Sequence, residues 1–140
     1  MTLIFNPQGI MDEIEVGEGI DIVILSPSLS LIERVKEANR VGARDPKSVM
    51  ITLERTTKKR PDFSFSVYKH SSGRSKCLVS CINARASLYG IPSPVPPYHE
   101  TYNTVLKYTS IPSIIIYVPE GMEDSLKKII REGVKDYAEI

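Results

Sequence analysis

Two runs of β-branched residues constrain this chain more than any other feature. Residues 20–25 read Ile-Asp-Ile-Val-Ile-Leu, and residues 111–118 read Ile-Pro-Ser-Ile-Ile-Ile-Tyr-Val. A strand with one wet face alternates apolar and polar side chains, whereas a near-continuous run suits a strand covered on both faces. Between the runs, Ser30 and Glu33 stand in the relation of a capping box. Leu31, Ile32, Val35 and Ala38 supply an apolar stripe, and Gly42 a stop. Strand, turn, helix and strand make a crossover unit. At 140 residues, 41% hydrophobic and 25% charged, the chain can build one core but not two, and it is too apolar for general disorder. The expectation is a single α/β domain over residues 1–140. No apolar run approaches the roughly 20 residues of a membrane span, so no membrane partner is expected. No basic leader with an apolar stretch opens the sequence, which predicts an intracellular, cytoplasmic protein.

The middle third reads as an antiparallel three-strand meander. Val49, Ile51 and Leu53 alternate with Met50, Thr52 and Glu54, and Phe63, Phe65 and Val67 alternate with Ser64, Ser66 and Tyr68. A third strand over 76–83 is apolar on both faces, with loops at 56–61 and 70–75 joining the three. Short strands are expected at 2–5 (an edge) and 12–16, and a stiff proline-rich connector at 91–97. Helices are expected over 98–109 and through Met122, Leu126, Ile129, Ile130 and Tyr137, with Lys127, Lys128 and Arg131 on the wet side. The fold class is therefore a mixed sheet around a central meander, flanked by helices. Four apart in an extended strand, Cys77 and Cys81 would lie about 13 Å from each other, too far to bond. One glutamine and four asparagines among many charged and β-branched residues point to a thermophilic source.

Charge is unevenly spread. Residues 1–46 carry four basic and eight acidic side chains, residues 47–85 nine basic and two acidic, and the remainder five and seven. Such a positive middle attracts polyanions. No glycine-rich phosphate loop follows any strand, no serine has a legible His-Asp partnership, and no histidine or cysteine cluster has metal spacing. No metal or other cofactor is expected on these grounds. If the hairpins turn symmetrically, Glu54, Asp62, Asn83 and Arg85 gather at one end of the meander.

From residue 29 to 118 the order helix, three-strand meander, helix, strand resembles the restriction-endonuclease-like core, which houses archaeal Holliday junction resolvases and the catalytic domain of tRNA-splicing endonucleases. Pro61-Asp62 stands where resolvases open their second meander strand, but Ser80 and Ile82 occupy the places of the Glu and Lys that follow. Arg74 stands at the place of the splicing histidine. The resemblance implies a nucleic-acid-binding protein on a nuclease-like scaffold without its catalytic set, an accessory or structural subunit of an archaeal or archaeal-virus complex. Lys58, Lys59, Arg60, Lys69, Arg74 and Lys76 would contact phosphates of DNA or RNA, and Tyr68 would stack on a base. An alternative is an active nuclease using Glu54 and Asp62 with magnesium, assisted by Lys69. A third is a non-enzymatic oligomeric interaction or virion protein.

Overall fold

A computed structural model describes residues 1–56, 62–71 and 73–140. Its first strand, β1 (Thr2–Asn6), is buried along its whole length and lies inside the sheet, not at an edge. β2 (Asp21–Ile24) pairs with it in parallel on one side and β3 (Val49–Arg55) on the other. β6 (Ser113–Val118) continues in parallel from β3, β4 (Ser64–Tyr68) runs antiparallel to β6, and β5 (Tyr98–Glu100) lies parallel to β4. The result is a six-stranded mixed sheet in the order β2-β1-β3-β6-β4-β5. Helices α1 (Leu31–Arg44), α2 (Gly73–Leu88), α3 (Thr104–Tyr108) and α4 (Glu123–Ala138) complete a single-domain α/β architecture.

Strand alternation sends the two faces of the sheet to different helices. Leu3, Phe5, Ile51, Leu53, Phe65, Ile114 and Ile116 join Leu78 and Ile82 of α2 and Leu126, Ile129, Ile130 and Val134 of α4 in the main core. Ile4 and Met50 face the other way, into a smaller core with Val35, Ala38 and Val41 of α1 and Val105 of α3. Each large aliphatic side chain buried this way contributes about 1.5–3 kcal/mol.

The residues 111–118 run therefore does become a strand covered on both faces. The capping box also forms, with Glu33 N donating to Ser30 Oγ at 3.2 Å and Ser30 N donating to Glu33 Oε1 at 3.3 Å. The run at 20–25 is different: β2 is the edge strand, and Asp21 and Ile24 are exposed. Residues 12–16 form no strand; Met11 and Ile14 pack from a loop onto the main core.

The antiparallel meander does not exist. β6 separates β3 from β4, and residues 76–83 belong to α2. Leu78, Val79, Ile82 and Ala86 bury at helical spacing, a pattern that a short apolar run shares with a strand. Cys77 and Cys81 are accordingly one helical turn apart, about 6 Å along the axis instead of 13 Å, and both are free. Burial, with Cys77 beside it, pushes the Cys81 thiol up to about 11. The expected helix over 98–109 splits, because Tyr98–Glu100 pairs with β4 and Asn103 starts α3 by accepting from Leu106 N at 3.0 Å. The expected cluster of Glu54, Asp62, Asn83 and Arg85 is dispersed as well. Asn83 Oδ1 accepts from Ser93 N, and Arg85 is bidentate to Asp136 at 2.6 and 2.8 Å.

Two helical glycines mark close approaches. Gly42 does not end α1, which runs on to Arg44; a Cβ there would collide with Ile111 Cγ2. A Cβ on Gly133 would fall 2.8 Å from Ile82 Cα, so α4 seats on α2 through a gap in its side chains.

Candidate functional site

The carboxyl ends of β1, β3 and β6 lie along one edge of the sheet, and the chain leaves β1 for β2 on one side and β3 for the other part of the sheet. Open α/β sheets bind ligands at such a reversal. Gln8, just past β1, holds a left-handed backbone (φ +50°) uncommon for a non-glycine residue. Its amide is fixed from both ends: Nε2 donates to Leu53 O at 3.0 Å, and Oε1 accepts from Arg34 Nη1 at 2.8 Å. Arg34 is buried on α1, and its Nη2 donates to Pro27 O at 2.9 Å. Beside Gln8 opens a cleft of about 110 Å³, walled by Leu31, Thr52, Glu54, Asn103 and Ile115 among others. Asn6 Nδ2 donates to Thr52 Oγ1 at 3.3 Å and sets the hydroxyl at its base.

Glu54 begins a polar strip that crosses four adjacent strands on this face. In register, Glu54 of β3 pairs with Tyr117 of β6, and Tyr117 with Ser64 of β4. Ser66 Oγ lies 3.0 Å from Tyr117 Oη and 3.3 Å from Glu100 Oε1, to which it donates. The Tyr98 ring meets the Tyr117 ring edge-on, 6.4 Å between centroids. Burial pushes the Glu54 carboxyl above its ordinary range, the charge of Glu100 adds to the shift, and a Gln8 hydrogen bond opposes it. Tyr117 is also raised, chiefly by burial, with Glu54, Glu100 and Tyr98 adding and the Ser66 bond opposing. The strip thus offers one carboxyl biased toward its protonated form, a second that accepts from a serine, and fixed amide and hydroxyl groups at the cleft mouth.

Of the residues expected to act, Glu54 belongs to this site. Asp62 precedes β4 without a hydrogen bond or ion pair to Glu54 among the described residues. Lys69 follows β4 and is level with Pro112, five positions along β6 from Tyr117, which is about 16 Å. Glu54, Asp62 and Lys69 are not brought together. Arg74 and Lys76 lie in the first turn of a helix instead of on a hairpin, and two residues apart they point to different sides. Arg74 lines a cavity beside β4, and Lys76 a groove along the prolines. Tyr68 ends β4 with its ring edge-on to His70 at 5.5 Å. Lys58, Lys59 and Arg60 lie outside the described residues. Sequence reasoning missed Gln8, Ser66, Glu100 and Tyr117. The legible signals were a lone tyrosine in an isoleucine run and serines on the polar phase of β4.

No family model and no curated protein matches the sequence. Solved structures do match its fold. The N-acetylmuramoyl-L-alanine amidase from Clostridium difficile 630 superposes with a TM-score of 0.73 at 15% identity, covering 99% of this chain and 96% of that one. The catalytic domain of CwlV, an N-acetylmuramoyl-L-alanine amidase from Bacillus (Paenibacillus) polymyxa var. colistinus, gives 0.70 at 14% identity over 100% and 99%. The catalytic domain of the CD27L endolysin targeting Clostridia difficile gives 0.65 at 10% identity over 97% of each. The fold is that of these amidases and not the restriction-endonuclease-like core. This corrects the resemblance drawn from element order, which rested on a meander that does not form. The readings built on it fall too: the nucleic-acid-binding accessory subunit with its DNA or RNA partner and the magnesium nuclease.

Proposed function

We propose that this chain is a cell-wall-directed protein of the amidase fold that holds a peptidoglycan stem peptide in the cleft beside Gln8 and does so without a catalytic metal. The observation that carries this reading is the makeup of the cleft and its strip: amide and hydroxyl groups, a carboxyl biased toward protonation and apolar walls. Those groups match the alternating amides and small side chains of a peptide. A catalytic zinc takes three protein ligands drawn from His, Cys, Asp and Glu. Among the described residues no group of three or more such side chains could hold a metal ion. The described residues therefore do not fit zinc. The names of the matched structures specify the N-acetylmuramoyl–L-alanine amide as the bond their enzymes act on.

Cosedimentation with purified sacculi tests the reading. Leu31 is 49% exposed at the cleft mouth, so Leu31→Glu introduces charge there without touching the core. The wild-type chain should sediment with sacculi and Leu31→Glu should bind at least tenfold more weakly, while amino-terminal alanine is not released with or without added zinc. Absence of cosedimentation, or equal binding by Leu31→Glu, refutes the cleft. Release of alanine refutes the binding-only role.

A further inference from the structure

A second polar cavity, of about 260 Å³, opens at the other end of β6 and goes beyond the cell-wall reading. His70, Arg74, Ser75, Lys107, Ser110 and Ser113 are among the residues that line it, and among the described residues no carboxylate does. Ser113 is two residues before Ile115 of the cleft wall on β6, and among the described residues the two cavities share no lining residue. Two features converge here. The first is the amino end of α2, a 16-residue helix with no acidic residue in its first turn. The opening amides of a helix lack intrahelical acceptors and carry partial positive charge, and here Arg74 adds a full one. The second feature does not depend on the helix. Ser113 is 4% exposed, and its Oγ has no hydrogen-bond partner; the hydroxyl of Ser71, another lining residue, is buried and unpartnered too. Buried hydroxyls are normally satisfied, so two in one cavity call for a ligand that accepts from them.

We propose that this cavity binds a phosphate-type oxyanion, held by the α2 amino end, Arg74 and the hydroxyls of Ser113 and Ser71. A tetrahedral oxyanion offers several acceptors and no donors, which is what a wall of hydroxyl, guanidinium, ammonium and amide donors can satisfy. His70 and Lys107 stand on the same wall, and among the described residues no acidic lining residue opposes the charge. The anion could be free phosphate or the head of a small phosphomonoester, and both present the same group.

The test is calorimetric titration of the full chain with inorganic phosphate, and in a second arm with glucose 6-phosphate, against chloride at matched ionic strength. Saturable binding of either phosphate, absent with chloride, supports the site, and the tighter arm identifies the source. Arg74→Gln, at an exposed position, should weaken binding about tenfold or more, as expected for a charge-assisted hydrogen bond. Ser113→Ala should weaken it about two- to tenfold. Lys128→Gln, on the wet side of α4, should leave it within twofold. Phosphate binding no stronger than chloride, or unchanged in Arg74→Gln, overturns the proposal even if Ser113→Ala fails to fold. Sacculus binding by the cleft is measured separately and does not depend on either result.

Discussion

Gly133→Ala is the sharpest test of how the two helices beneath the sheet are seated. Alanine is worth about 1 kcal/mol over glycine in a helix interior, so propensity alone predicts a more stable protein. The geometry opposes it. The new Cβ would stand 2.8 Å from Ile82 Cα and Cγ1 and 3.1 Å from Ile82 N, and two of those three atoms are backbone that no rotamer change can move. Restoring ordinary contact at 3.4–4 Å requires α2 and α4 to part by roughly 0.6–1.2 Å. A gap of that size forfeits about a quarter to a half of the dispersion well for the atoms across it. Those atoms belong to Leu78, Ile82, Ile129, Ile130 and Val134, all fully or almost fully buried. Overpacking of this kind costs about 1–3 kcal/mol, and rigid backbone places this case toward the upper figure. The net result is a loss of about 1–2 kcal/mol, or about 3–7 °C in Tm for a chain of this length. Differential scanning calorimetry reads it, with Gly73→Ala as the control, because nothing lies within 4 Å of a Cβ there. A Gly133→Ala protein melting at or above wild type would refute the steric reasoning.

Other expectations concern charge and caps. Glu54 has its carboxyl raised in the folded state, so its protonated form favours folding, and that contribution is lost as pH rises from the unfolded value through the higher folded one. Glu54→Gln should then gain stability relative to wild type above that window and match it below, as denaturant melts across pH would read. Asp136 is the opposite case: the hydrogen bond from Arg85 holds its carboxyl below the ordinary range. Its contribution is present above the unfolded value and is lost as pH falls through the folded one, so Asp136→Asn should narrow its deficit on acidification. Ser30→Ala removes the acceptor for Glu33 N and should cost about 1 kcal/mol in urea unfolding.

The sequence speaks clearly where local chemistry and tertiary packing agree. Ser30 and Glu33 cap a helix without help from the rest of the chain, and residues 111–118 are too uniformly apolar for anything but a doubly covered strand. It misleads at residues 76–83, where cysteines, leucine, valine and isoleucine fit both a period of two and a helical face. Reading that segment as a strand produced a meander, and the meander produced the nuclease resemblance with its basic ribbon. The strip from Glu54 to Glu100 was illegible for a different reason. Its members come from β3, β6, β4 and β5, and only the order in which those strands lie side by side makes Tyr117 a neighbour of Ser66 and Glu54. Strand order is a property of the whole packing and leaves no mark in any single segment.

The two borders of the sheet differ in a way that matters for association between copies. β5 spans three residues, and Pro96 and Pro97 immediately before it have no N–H to offer, so an incoming chain finds almost no ladder to extend on that side. β2 has no such guard within its four residues and forms the opposite border. Any self-templating of this protein by backbone pairing must start at β2, and a single proline placed there would close the sheet to growth in both directions.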